Sequence, residues 1–157
     1  MLQIALAHTA DDVATVRELF HEYQTQLGVD LSYQDFEAEL RDLPGAYAAP
    51  SGRLLLASHH GTPVGCAALR DAGTGRAEMK RLFVRPAGRG LGVGKELIAR
   101  LIDEARAAGY REMVLDTLPS MQSAQRLYAQ FGFRDIPPYR ASPVQGTRYL
   151  ALSLGTA

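Results

Sequence analysis

Apolar residues recur at helical spacing in some stretches of the chain and at strand spacing in others. Val13, Val16, Phe20, Tyr23 and Leu27 fall on one helical face, and Thr9-Ala10-Asp11-Asp12 precedes them as a capping box with Asp12 as an acidic variant. Gln3 to Ala7 predicts a short strand before this helix, and Tyr33 to Arg41 a second, shorter helix closed by a turn at Leu43-Pro44-Gly45-Ala46. Arg53 to Ser58, Val64 to Arg70 and Arg76 to Arg85 then read as three consecutive strands. His59-His60-Gly61-Thr62 and Asp71 to Gly75 turn the chain between them, so the three strands form an antiparallel meander.

A helical stripe follows at Leu97, Ile98, Leu101, Ile102 and Ala105, with Glu96, Arg100, Asp103 and Arg106 on the other side and Gly109 placed as its terminating glycine. Glu112 to Thr117 is a strand. A strand, a crossover helix and a strand of these lengths imply a parallel pair. A last helix is predicted from Pro119-Ser120, striped by Met121, Ala124, Leu127, Tyr128 and Phe131 and ended by Gly132. The proline-rich segment Asp135 to Gly146 is a loop, and Thr147 to Leu154 a final strand. No repeat or linker divides the chain, so residues 1–157 read as one α/β domain with a mixed sheet.

Composition narrows the function. The 17 basic and 17 acidic side chains cancel, so no global field draws the protein to nucleic acid or a membrane, and any anion site must be local. Lys80, Arg81, Arg85, Arg89 and Lys95 supply that local charge. A single cysteine, Cys66, forbids an internal disulfide and suits a reducing compartment. With no apolar run of membrane length and no signal-peptide pattern at Met1-Leu2-Gln3-Ile4, the expected location is the cytoplasm.

The densest signal is Leu82 to Lys95, where an apolar strand enters a basic, glycine-rich turn that opens a helix. Such a turn aims backbone N–H groups and the positive end of a helix dipole at one anion, and reads as a diphosphate cradle; the alternative is a glycine-rich helix start with no ligand. A Walker loop is excluded, because Arg89 stands where its first glycine belongs and Glu96 follows Lys95. The dinucleotide fingerprint fails as well, reaching Val93 from Gly88 and Lys95 from Gly90. What fits is Arg-x-x-Gly-x-Gly, from Arg89 to Gly94.

This loop resembles the acetyl-CoA pyrophosphate loop of the GNAT N-acetyltransferase superfamily. Two more segments carry the resemblance in the right order. Ala77-Glu78-Met79-Lys80-Arg81-Leu82-Phe83-Val84-Arg85-Pro86 is similar to the family's central strand, and Ala124-Gln125-Arg126-Leu127-Tyr128-Ala129-Gln130-Phe131-Gly132-Phe133 to its Ala-x-x-Leu-Tyr-x-x-x-Gly-Phe motif. The resemblance spans nearly the whole chain. It implies a single GNAT-like domain with a mixed, mostly antiparallel sheet of about six to seven strands, a splayed central parallel pair and about four flanking helices. It implies acetyl-CoA as acyl donor, a primary amine as acceptor and direct attack in a ternary complex, and it is compatible with a homodimer. An acyl-CoA-binding sensor or interaction module without turnover is the alternative from another class.

Carried onto this sequence, the resemblance makes Arg89, Gly90, Leu91, Gly92, Val93, Gly94 and Lys95 the diphosphate contacts, and Leu82, Phe83 and Val84 the strand on which the pantetheine arm pairs. It makes Tyr128 the general acid for the leaving thiolate and the Val84 N–H the oxyanion donor. Without it, the apolar stripe reads Tyr128 as core. Glu78 is either a general base acting through water or a structural carboxylate paired with Lys80 or an arginine. Where many family members carry asparagine this chain has Met121, which leaves that polar contact missing or supplied by Ser120 or Ser123.

Tyr23, Tyr33, Tyr47, Tyr139 and Arg140 are acceptor-side candidates, Arg140 as a partner for a carboxylate-bearing amine. Arg81 and Arg85 are either contacts for the CoA 3′-phosphate or a solvated face. Cys66 lies in an apolar strand and reads as inert rather than as an acyl carrier. His8, His21, His59 and His60 lack metal-ligand spacing, and no metal is expected.

Overall fold

The computed structural model describes residues 1–155, and the side chain of Tyr33 lies outside that description. Among the described residues one sheet holds β1 (Leu2–Leu6), β2 (Arg53–His59), β3 (Thr62–Gly73), β4 (Arg76–Val84), β5 (Glu112–Thr117), β6 (Arg134–Asp135) and β7 (Arg148–Ser153). The order across it is β1-β2-β3-β4-β5-β7-β6, with β4–β5 parallel and the other pairs antiparallel. Helices α1 (Ala10–Leu27), α2 (Phe36–Asp42), α3 (Val93–Ala107) and α4 (Gln122–Phe131) complete the fold. The expected sheet, parallel pair and helices are all present. No helix among the described residues is long and apolar enough to cross a membrane.

Local chemistry sets the boundaries. The Thr9 hydroxyl caps α1 by accepting from the Asp12 N–H at 3.1 Å. Gly109 (φ 91°) closes α3: its N–H donates to Arg106 O and that of Tyr110 to Ala105 O, the paired bonds of a Schellman motif. His60 and Gly61, both at positive φ, give the β2–β3 hairpin the turn that matches strand twist.

Several element bounds differ from expectation, and three of the differences reshape an element. Asp35 (φ 57°) breaks the helix predicted over Tyr33 to Arg41 into a 3-10 turn, Ser32–Gln34, and α2; the break lets Phe36 and Leu40 face the core. β3 runs on to Gly73 because Asp71 and Gly73 pair with Ala77 and Arg76, leaving Thr74 and Gly75 as the turn. α4 begins at Gln122, after Met121, without a side-chain cap.

Two apolar layers sandwich the sheet. Leu97, Ile98, Leu101 and Ala105 of α3 pack with Leu55, Leu69, Ala77, Met79, Met113 and Leu115 on one face. Val16, Leu19 and Phe20 of α1 and Phe36 of α2 pack with Leu54, Cys66, Ala68 and Phe83 on the other. Full burial of each large side chain contributes about 1.5–3 kcal/mol. Both layers grip β3 and β4, which are thereby fixed at the centre.

Candidate active site

A bulge in β4 organises the site. Between the pairs Cys66↔Phe83 and Ala68↔Lys80, three steps on β4 oppose two on β3, and Arg81 absorbs the extra residue at φ 60°. Ala77 and Met79 face the α3 layer before the bulge, and Leu82 and Val84 face it afterwards, so the alternation changes phase. Glu78 and Lys80 are left on the opposite side.

Parallel pairing of β4 with β5 covers only Arg76↔Glu112 to Glu78↔Val114, and beyond it the strands separate. The Arg85 N–H donates to Val64 O at 2.7 Å, which makes that a hydrogen-bonded pair. In an antiparallel ladder the adjacent pair, Val84↔Gly65, then turns its backbone groups outward. The N–H and C=O of Val84 therefore face the gap rather than β3.

Where β5 has left β4, a cleft of about 520 Å³ opens between β4 and α4, with Leu82, Phe83 and Val84 along one wall and Met121, Ala124 and Leu127 along the other. That wall explains why α4 buries only Tyr128 fully: Ala124 and Leu127 front the cleft, and Phe131 lines a separate groove with Ile102 and Leu152. Arg89 and Gly94 line it at the start of α3. Gly90 and Gly92 have φ of 80° and 75°, and Gly92 caps α3 with no side-chain hydrogen bond. The first amides of α3, those of Val93, Gly94 and Lys95, thus lack intrahelical acceptors. Those of Arg89 and Leu91 are spent within the turn, on Pro86 O and Gly88 O. Leu91 and Lys95 are exposed beside the cleft.

Deeper in the gap lies a cavity of about 20 Å³, walled by residues that include Lys80, Asp116 and Tyr128. Tyr128 is 3% exposed and packs against Phe133 with ring centroids 5.6 Å apart. Burial, reinforced by Tyr23 and Asp116, pushes its phenol upward, so it holds its proton at neutral pH.

A glycine-rich, uncapped helix start thus stands at a cleft along the edge of β4 that β5 leaves unpaired, with a buried tyrosine beside it. The acetyltransferase (GNAT) family model matches residues 13–133. The chain belongs to the GNAT acetyltransferase family. It is 37% identical to an uncharacterized N-acetyltransferase of Schizosaccharomyces pombe, over 98% of this chain and 95% of that protein. It is 37% identical to an IAA acetyltransferase of Azospirillum brasilense, over 88% and 90% of the two chains. Among solved structures, a GNAT acetyltransferase of Staphylococcus aureus superposes with a TM-score of 0.81 at 22% identity, covering 99% and 100% of the chains. The yncA protein of Salmonella typhimurium, solved with its cofactor acetyl-CoA, superposes with a TM-score of 0.70 at 23% identity over 98% and 94%.

In this GNAT acetyltransferase Glu78 is a closed hub. It is 1% exposed, and its Oε1 accepts from Arg70 Nε at 2.9 Å and Arg140 NH2 at 3.0 Å. Its Oε2 accepts from the Tyr139 hydroxyl at 2.8 Å and lies 2.7 Å from Arg140 NH1. Burial alone would raise its carboxyl, but the Arg140 hydrogen bonds, with the charges of Lys80, Arg140 and Arg70, pull it down to about 2. So weak a base, with its oxygens occupied, fits the structural alternative better than the catalytic one, and its partners are arginines rather than Lys80.

Other candidates are redistributed. Arg140 is held by Glu78 and, at 3.3 Å, by Asp116, so its charge is already engaged. Tyr47 is core, 2% exposed, whereas Tyr23 lines the cleft. Arg81 is clamped by both oxygens of Glu39, at 2.9 Å each, and Arg85 by those of Glu22 at 2.9 and 2.6 Å. Neither is a bare solvated face, and each already has its anion. Cys66 is fully buried and its thiol is pushed up by burial, in keeping with inertness. Ser120 and Ser123 both line the cleft beside Met121.

Asp116 and Arg70 escaped the sequence reading, and Lys80 entered it only as local charge and as a possible partner of Glu78. The available signal was a charged residue inside an otherwise apolar strand, Asp116 after Met113-Val114-Leu115 and Lys80 after Met79.

Proposed function

We propose that this protein moves an acetyl group from acetyl-CoA to a primary amine by direct attack in a ternary complex. The observation that carries the reading is the cleft between the unpaired edge of β4 and α4, open along Leu82–Val84 and bordered by the uncapped start of α3. Bound there, acetyl-CoA supplies an activated thioester. The Arg89 side chain and the first amides of α3, those of Val93, Gly94 and Lys95, hold its diphosphate where Gly90 and Gly92 let it approach, the backbone of Leu82 to Val84 pairs with its extended arm, and Ser120 or Ser123 adds a polar contact. The outward N–H of Val84 donates to the oxyanion as the carbonyl becomes tetrahedral. Tyr128, neutral and facing the gap, gives its proton to the departing sulfur. Glu78 acts structurally, tying Arg70, Tyr139 and Arg140 into one wall. Holding the two reactants together supplies roughly 7–11 kcal/mol of the barrier.

The test is thermal stabilisation by acetyl-CoA in the parent and in Gly92→Glu, followed by acetyl-CoA consumption with an equimolar mixture of α-amino acids and aliphatic monoamines. Ligand at a hundred times its Kd stabilises the native state by about 2.7 kcal/mol. A shift present in the parent and lost in the variant, with amine-dependent CoA release, is the expected result. A shift without turnover returns the sensor reading, and no shift in folded parent protein removes the site.

A further inference from the structure

Lys80 is the buried cation that these roles leave unused. It is 5% exposed, and its Nζ donates to Gln34 Oε1 at 2.9 Å. An ammonium has three donors. The carboxylate closest to it along β4, Glu78, is filled by two arginines and a tyrosine. Lys80 shares the cavity in the strand gap with Tyr128 and Asp116, and its volume of about 20 Å³ admits roughly one water. Tyr23, Leu82 and Met121 wall both this cavity and the large cleft, so the two spaces adjoin.

We propose that Lys80 takes the proton of the incoming ammonium and returns it, through one water in the shared cavity, to Tyr128. This rests on the transferase reading above. The step balances. The ammonium gives one proton to Lys80 Nζ, and the freed lone pair forms the N–C bond as the C–S bond breaks. The Tyr128 hydroxyl proton goes to sulfur, the proton on Lys80 restores that hydroxyl, and the second amine proton leaves to solvent.

The surroundings favour a lysine that can be neutral. Burial, and then Arg81 next to it, bring its pKa down to about 7; Arg140 acts in the same sense, while Glu78 and Asp116 oppose. Tyr128 from α4 and Tyr23 from α1 also face the cavity, and Glu39 of α2 holds Arg81. Above that pH the nitrogen has a free lone pair, and below it the acceptor role is lost.

Two measurements on the whole protein test this. In protein labelled with ¹³C-lysine, the Lys80 Cε resonance, assigned by its absence in Lys80→Arg, should titrate near pH 7; a midpoint above about pH 9, close to an ordinary lysine, overturns the assignment. In the amine-mixture assay, parent kcat/KM should rise through about pH 7 to a plateau. Lys80→Arg stays charged, and it should lose roughly 100-fold at neutral pH and have its rising limb moved to higher pH. Lys80→Met gives the same result by another route should the arginine variant fail to fold. A lower rate with the limb unmoved marks a structural lysine and overturns the proposal. Absence of turnover with any amine defeats the transferase reading and this role with it, whereas an ordinary midpoint or an unmoved limb with turnover intact defeats this role alone.

Discussion

The two halves of β4 have opposite fates. From Arg76 to Glu78 the strand is paired on both sides, and its buried carboxylate is enclosed by arginines and a tyrosine. From Leu82 to Val84 it is paired with β3 alone, and its other edge faces a cleft. Where backbone and charge are fully partnered, the strand holds the fold together. Where a neighbouring strand is missing, an extended ligand can stand in for it. The change from one regime to the other falls at a single bulged residue, Arg81.

The contrast breaks first at the closed end. Glu78→Gln strips the charge from the hub and leaves Arg70 and Arg140 without their anion; loss of one partner of a buried pair costs about 3–5 kcal/mol. Because those arginines are 31% and 25% exposed, the lower end is expected, seen as a fall in Tm with acetyl-CoA binding by the folded protein retained. The pH dependence follows from the same group. Its folded pKa of about 2 lies below the ordinary value of about 4.3, so its stabilisation is present above that value and lost as pH falls toward 2. Glu78→Gln should flatten this acid limb in unfolding measured across that window.

Tyr128→Phe tests the open end. It should lower kcat by roughly 100-fold while Tm and the acetyl-CoA-induced shift change little. A large Tm loss with kcat per folded molecule intact would return Tyr128 to the core. At the helix start, a Cβ on Gly94 would lie 3.1 Å from Leu127 Cδ1, so Gly94→Val should weaken acetyl-CoA about tenfold, or about 1.4 kcal/mol, by titration calorimetry. Ser123→Ala should have the smallest effect, removing about 0.5–1 kcal/mol of binding if that hydroxyl meets the cofactor arm.

What could be read from the sequence was what is written locally. The Thr9 cap, the glycines at 109 and 132, the β2–β3 hairpin and the bounds of β5 depend on neighbours within a few residues, and all appear in the fold. The glycine turn was legible as an anion cradle for the same reason, whereas the Tyr128 motif pointed to the site only through the family resemblance. Tyr139 and Arg140 were not legible as partners of Glu78, because they arrive from a loop some sixty residues away, whereas an arginine partner was foreseen and Arg70 sits directly opposite on β3. Arg81 and Arg85 looked free only because Glu39 and Glu22 lie on helices far upstream. The break at Asp35 was hidden by an otherwise continuous helical pattern, and tertiary burial of Phe36 decided it.

The bulge at Arg81 also sets how the strand tolerates change. It works as a frame-shift built into the backbone: even-numbered residues face one layer before it and the other layer after it. Side chains on either side can be exchanged for others of like size without disturbing that phase. Removing one residue there would restore simple alternation and force one half of the strand to swap faces, driving Glu78 and Lys80 into the α3 layer or Leu82 and Val84 out of it. Along this strand, then, variation by substitution is open, while variation by length is closed to a single residue.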